Sequence, residues 1–270
     1  MKNNDNKDLI KDIIKYSTEL RLPMVRKYLD NDLKDAYKNN LSHEQFLHCL
    51  LEKEYDTRIE NGKLNRIRIA GFPFKKCLED IKVEELPKDA QAKLGILSTL
   101  DFIKNGQNII LAGSPGTGKT TIAVSLGIKA CLEGYRVFFT TVPLLINQLK
   151  EARGQSTLRS FELRFEKYDL VIADELGYIS FDKEGSELLF TNLSLRAGRK
   201  STIITTNLSF ERWDEIFLDP VITAAMIDRL THKSYMVNMN GESYRMKETK
   251  EWLKKGVEDF ITEENDKEIN

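Results

Sequence analysis

Three short stretches of the chain carry residue types at spacings that can do chemistry. The first is GSPGTGKTT: Gly113, Ser114, Pro115, Gly116, Thr117, Gly118, Lys119, Thr120 and Thr121. It fits the G-x-x-x-x-G-K-[ST] spacing of a phosphate-binding loop. Glycines there let backbone N–H groups turn inward onto phosphate oxygens, and the helix expected to follow adds favourable partial charge at its N-terminus. Lys119 would reach the β- and γ-phosphates of a nucleoside triphosphate, and the Thr120 hydroxyl would ligate Mg2+. The second stretch, YDLVIADELGY, sets Asp174 and Glu175 at the end of an apolar run. Asp174 would hold Mg2+, directly or through water. Glu175 would orient and deprotonate an attacking water, since loose phosphoryl-transfer transition states demand positioning more than covalent chemistry. The third stretch, STIITTNLS, brings Asn207 to a strand end where an amide meets the γ-phosphate and its water. A solvated strand end for the Asp-Glu pair, and a turn role for Asn207, are the alternatives.

These side chains need elements to hold them. NIILAG before the loop is apolar and β-prone; after it Ile122, Leu126, Ile128, Cys131 and Leu132 recur at helical spacing up to Gly134. Strand, glycine-rich loop, helix is the context this motif requires. The pattern predicts helix over 89–105, strand 108–112, helix 119–132, strand 135–140, a helical insert 143–167 and strand 169–174. Helix 184–197, strand 201–206, helix 220–231 and strand 234–239 follow. Such alternation predicts an α/β fold, a parallel sheet flanked by helices. Upstream, residues 8–70 read as helical with a break at Pro23, and Ser42 with Gln45 forms a capping box. Pro73 and Pro87 mark a linker. The expected domains are a helical N-terminal domain (1–72), a linker (73–88), an ATPase domain (89–250) and a charged tail (251–270).

Composition narrows the field. A length of 270 residues suits one α/β domain plus a smaller one, and a net charge of −1 excludes a globally basic nucleic-acid binder. Cys49, Cys77 and Cys131 have no metal or redox spacing, and His43, His48 and His232 do not cluster with them. The N-terminal stretch is too polar for a signal peptide and no apolar run approaches bilayer length, so a cytoplasmic protein without a membrane partner is expected.

The residues also choose among nucleotide chemistries. A kinase of a small metabolite needs no glutamate after the Asp174 position, because its acceptor is not water. A GTPase switch needs an N-K-x-D guanine-reading loop, but Leu208 and Ser209 follow Asn207. What fits is a water-using ATPase of the additional-strand class, its Asn207 strand lying between the loop strand and the Asp174 strand. Such sites are often completed by an arginine from a neighbouring subunit. Arg229, in MIDRLTHKSY, is the first candidate, Arg196 the second, and Arg199 the third. A surface ion pair with Asp228 is the alternative for Arg229.

Longer stretches carry a resemblance. LRLP, EKEYDTRIENGKLNRIRIAGFPFKKCLED, LDFI, GSPGTGKT, GYRVFFTT, YDLVIADELGYISFDKEG, STIITTNLSFERWDEIF and DPVITAAMIDRLTHKSYMVNMNGESYRMKE resemble the IstB-like ATPases, transposition helpers of bacterial insertion sequences. The likeness covers residues 15–250, and DRLTH and GESYRMKE are its most specific motifs. A sister group is the DnaC-like helicase loaders, in the initiator branch of AAA+ ATPases. The resemblance implies ATP at 113–121, Mg2+ at Thr120 and Asp174, hydrolysis at Glu175, sensing at Asn207 and a finger at Arg229. It also implies homo-oligomers with ATP sites at subunit interfaces, duplex DNA as a ligand and a transposase as partner; a replicative helicase is the alternative partner. Residues 141–168 fill the slot of the initiator insert; Lys150, Arg153, Arg159, Arg164 and Lys167 either meet DNA phosphates there or form a solvated face with Glu151, Glu162 and Glu166. Only residues 230–270 follow Arg229, too few for a full helical lid and the arginine it carries, and Arg245 is the nearest candidate for any C-terminal role. A local basic surface comes from Arg58, Lys63, Arg66, Arg68, Lys75 and Lys76, opposed by Glu60.

Overall fold

Turn chemistry legible in the sequence sets the starts of the second and third helices. In the computed structural model, which describes residues 2–247, 249, 252 and 253, α1 spans Lys2–Glu19, α2 Pro23–Lys38 and α3 His43–Ala70. Pro23 opens α2 because the first helical position has no intrahelical use for an N–H. The N–H of Val25, another orphan of that first turn, donates to the buried Glu54 carboxylate at 2.8 Å. At the start of α3 the capping box forms: Ser42 N–H donates to Gln45 Oε1 at 2.9 Å and Gln45 N–H to Ser42 Oγ at 3.2 Å. The chain divides into two compact units, Met1–Asn65 and Arg66–Asn270, so the division falls within α3.

In the second unit, the stretch expected as a linker, 73–88, is part of the packed structure. Ile81 is buried in the core, with Phe72, Cys77, Leu78 and Leu86 packed against it. Two short 3-10 turns, Leu78–Asp80 and Val83–Glu85, carry the chain along this wall. The prolines mark bends, but the apolar side chains between them gain more from burial than from staying in water. Next come α4 (Lys88–Leu97) and α5 (Asp101–Lys104). The single helix expected over 89–105 is broken, because Ser98 and Thr99 hydroxyls bond back to the Leu94 and Ile96 carbonyls and buried Leu100 turns left-handed at φ 60°.

The sheet elements alternate with helices: β1 Ile109–Ala112, α6 Lys119–Leu132, β2 Val137–Thr141, α7 Val142–Gly154, α8 Leu158–Glu166 and β3 Leu170–Leu176. They continue as α9 Lys183–Ser194, β4 Ser201–Thr206, α10 Asp214–Phe217, α11 Pro220–Thr231 and β5 Tyr235–Asn238. The strand order is β2-β3-β4-β1-β5, and every pairing is parallel. As expected for an additional-strand ATPase, β4 lies between β1 and β3. Alternate strand residues feed two cores. Ile109, Leu111, Ile172 and Ile203 pack with α6 on one side, whereas Ile110, Val171, Ala173 and Ile204 pack with α7, α9 and α11 on the other. Burial on both faces explains why these strands read as continuous apolar runs.

Candidate nucleotide site

The phosphate-binding loop joins the C-terminal end of β1 to the N-terminus of α6, the position where open α/β sheets bind ligands. A cleft of about 170 Å³ opens beside it, lined by residues 116–121 with Glu175, Thr205, Asn207 and Arg245 among others. Gly113, Ser114 and Pro115 stand outside this cleft, on the approach to the loop. Lys119 is 7% exposed and its ammonium donates to the Gly113 and Ser114 carbonyls at 2.8 and 2.7 Å. Burial holds the Lys119 ammonium at a pKa of about 8; the Asp174 carboxylate opposes that shift and the Arg245 charge adds to it.

Asp174 and Glu175 are neighbours in β3, and neighbours in a regular strand point to opposite faces. A bulge removes that conflict. Ala173 pairs with Ile204 and Leu176 with Thr206, so two residues of β3 face the single Thr205 of β4. Glu175 sits at φ 64°, a left-handed conformation uncommon for a residue with a Cβ and typical of strained functional positions. The result is that both carboxylates serve one side. Thr120 Oγ1 lies 3.1 Å from each Asp174 oxygen, while Glu175 lines the cleft. Asp174 is 3% exposed, and burial raises its pKa against the pull of hydrogen bonds from Thr205 and Thr120. A buried carboxylate beside a hydroxyl is a hard oxygen donor set of the kind Mg2+ takes in nucleotide sites, so these residues fit that ion. Asn207 borders the same cleft, and its Oδ1 is buried with no hydrogen-bond partner among the described residues. A buried acceptor in that condition fits a bound water or ligand donor.

Three parts of the site lie beyond the loop, the carboxylate pair and Asn207. The C-terminal segment crosses the loop: Met239 N–H donates to Ala112 O at 2.7 Å, Ser114 N–H to Asn240 Oδ1 at 3.1 Å, and Tyr244 N–H to Gly116 O at 2.9 Å. This crossing explains two of the loop glycines. A Cβ on Gly113 would lie 2.3 Å from the Met239 carbonyl carbon, and one on Gly116 would lie 2.1 Å from Ser243 Oγ. The same segment delivers Arg245 and Tyr244 to the cleft. Arg245, the nearest candidate for a C-terminal role, lines the cleft beside the phosphate loop. The third part is the former linker, whose Lys76, Ile81, Lys82 and Leu86 form a further wall.

The arginines separate sharply. Arg229, on α11, is exposed and lies over the Phe190 ring at 5.1 Å, outside the cleft of its own chain. Arg199 is also exposed. Arg196 is 1% exposed and donates to the carbonyls of Phe165, Tyr168 and Ser201 at 3.0, 3.1 and 2.9 Å. It cannot project into a neighbour, which corrects its place as second candidate for a finger. Helix α9 ends at the N-terminal edge of β4, the far end of the strand from the loop, and the sheet seals the side chain in.

Several cations expected to face DNA already have partners. Lys63 pairs with Glu60 at 2.6 Å, Arg58 donates to Arg21 O at 2.9 Å, and Arg66 to Cys131 O at 2.8 Å. In the insert, Lys150 pairs with Asp182 at 2.7 Å and Arg153 with Glu184 at 3.4 Å, tying α7 to the start of α9. The tail expected at 251–270 lies outside the described residues except for Trp252 and Leu253. Among the described residues no helix is long and apolar enough to cross a membrane.

Comparison with known proteins agrees with this geometry. The IstB-like ATP binding protein family matches residues 16–252. The ATP-binding protein of insertion sequence IS5376 from Geobacillus stearothermophilus is 34% identical over 236 residues, covering 87% of this chain and 94% of that protein. The ATP-binding protein of insertion sequence IS21 from Pseudomonas aeruginosa is 34% identical over 231 residues, covering 86% and 87%. Among solved structures, DnaI matches with a TM-score of 0.53 at 19% identity, covering 61% of this chain and 91% of that one. AMPPCP-bound DnaA from Aquifex aeolicus matches with a TM-score of 0.53 at 20% identity, covering 68% and 56%. The fold is that of the AAA+ P-loop NTPases.

Proposed function

Because this chain belongs to the family of IstB-like ATP-binding proteins, we propose that it is an ATPase that assembles on duplex target DNA and delivers that DNA to a partner transposase. The observation that carries the reading is the convergence of Lys119 and Thr120 at the start of α6, Asp174 and Glu175 on β3 and Asn207 just after β4, at the C-terminal ends of neighbouring parallel strands. ATP binds over residues 113–121, with Lys119 turning from the loop carbonyls to the β- and γ-phosphates. Thr120 and Asp174 hold Mg2+, which neutralises phosphate charge when bound. Glu175 takes a proton from water as the water oxygen bonds to the γ-phosphorus. The bond from that phosphorus to the bridging oxygen breaks, leaving ADP and phosphate. Asn207 orients the water. Arg229, exposed and outside its own cleft, completes a neighbouring subunit's site, which makes ATP a bridge between copies.

The relatives' names refer to insertion sequences, and an ATPase of this kind supports a helper role rather than strand transfer itself. The test is a titration of purified protein against duplex and single-stranded DNA, with and without a non-hydrolysable ATP analogue, at two salt concentrations. Duplex binding should tighten with nucleotide and weaken by about 0.9 log units per phosphate contacted per decade of salt. Duplex affinity that is negligible and indifferent to nucleotide sinks the reading. A preference for single strands, with tight binding to a hexameric helicase, replaces it with a loader.

A further inference from the structure

We propose that Thr205 is a positioning residue of this ATPase: its hydroxyl holds the β3 bulge open and thereby aims Asp174 and Glu175 into one site. The inference rests on the ATPase reading and assigns a role to a residue outside the loop, the carboxylate pair and Asn207.

A bulge leaves one backbone N–H without a ladder partner, and a buried N–H without a partner is costly. Here the N–H is that of Glu175, and it donates to Thr205 Oγ1 at 3.0 Å. A hydroxyl carries one proton. Having accepted from Glu175, Thr205 donates its own proton to Asp174 Oδ1 at 2.5 Å. One side chain therefore ties the backbone of the water-activating glutamate to the carboxylate of the metal-binding aspartate. Thr205 is 2% exposed although it borders the cleft, so its hydroxyl is largely committed to these two partners. It stands at the one β4 position that faces both bulged residues. Engaging Oδ1 fixes the carboxylate plane and leaves Oδ2, 3.1 Å from the Thr120 hydroxyl, as the oxygen free of β4. Without the hydroxyl, β3 gains nothing from keeping Glu175 at φ 64°, and a regular ladder would turn Glu175 away from Asp174.

Thr205→Val keeps the shape and branching of the side chain and removes only the hydroxyl; Thr205→Ser keeps the hydroxyl. Amide exchange, read by NMR on the protein without nucleotide, should speed up about tenfold at Glu175 in Thr205→Val, as expected for loss of one hydrogen bond. Exchange at residues 171–173 should be unchanged, and Thr205→Ser should match the wild type. In turnover assays Thr205→Val should lose about tenfold or more and need about tenfold more Mg2+ for half-maximal rate, with ATP binding in chelator unaltered. If Thr205→Val does not fold, Thr205→Ala against Thr205→Ser makes the same comparison. Wild-type exchange at Glu175 and wild-type Mg2+ dependence in the valine variant overturn the proposal, as does a serine variant as impaired as valine. Glu175→Gln is run alongside. If it turns over at the wild-type rate, the ATPase reading of the site fails; an inactive Glu175→Gln beside an unaffected Thr205→Val overturns the Thr205 role alone.

Discussion

Arg196→Met tests whether Arg196 holds the fold or serves a neighbouring ATP site. The substitution keeps an unbranched apolar stem and removes the guanidinium. Three charge-assisted hydrogen bonds to main-chain carbonyls are lost, about 1.5–3 kcal/mol each after the cost of desolvation, or roughly 5–9 kcal/mol together. Burial lowers the Arg196 pKa to about 10, so the guanidinium keeps its charge at neutral pH and the bonds are of that kind. A cooperative unit of this size shifts its melting temperature by about 2–4 °C per kcal/mol, so a fall of about 10 °C or more is expected. The loss falls where α8, the start of β3 and the start of β4 meet. The assay is thermal unfolding followed by circular dichroism, with ATP turnover measured well below the transition. There the surviving folded protein should hydrolyse ATP at close to the wild-type rate. A variant that melts within a degree or two of the wild type, yet is inactive and regains turnover when mixed with Glu175→Gln, refutes the reasoning and restores Arg196 as a finger.

Three further outcomes follow from the site. Lys119→Ala should abolish ATP binding, whereas Glu175→Gln should keep binding, by equilibrium fluorescence, and slow turnover about a hundredfold or more; wild-type turnover in the glutamine variant would show that another group activates water. Arg229→Ala removes one contact to the Phe190 ring, worth about 0.5–1 kcal/mol at an exposed site, so its melting should shift by no more than a few degrees. It should bind ATP, hydrolyse it poorly and regain activity when mixed with Glu175→Gln, since one mixed interface then pairs an intact Arg229 with an intact Glu175; no recovery in proven mixed oligomers removes the finger from α11. Arg245→Ala should weaken ATP binding about tenfold at unchanged melting temperature, because a cation lining the phosphate cleft is lost from an exposed position; unchanged affinity would confine Arg245 to the surface.

What the chain reveals on inspection is what neighbours along it decide. The loop spacing from Gly113 to Thr121, the apolar runs of β1, β3 and β4, the capping box at Ser42 and Gln45, and the start of α11 at Pro220 are local features. Each follows from backbone sterics or from hydrogen bonds spanning a few residues. The place of β4 between β1 and β3 was legible for a related reason, since a glutamate after the buried aspartate, with an asparagine one strand later, implies a fixed neighbourhood. Tertiary structure decided everything that depends on which distant segments meet. Pro73 and Pro87 read as a linker because turn residues are visible in sequence, while the core that buries Ile81 is not. Arg196 read as a free cation because its three acceptors lie in segments brought to it by packing. The Asp174–Glu175 pair is adjacent in sequence, yet strand alternation would part the two side chains. They share a site because Thr205, on another strand, takes up the hydrogen bond that the bulge leaves over. Sequence spacing reports geometry only over the range where the backbone itself fixes it; beyond that range, the partner of a buried polar group is chosen by packing.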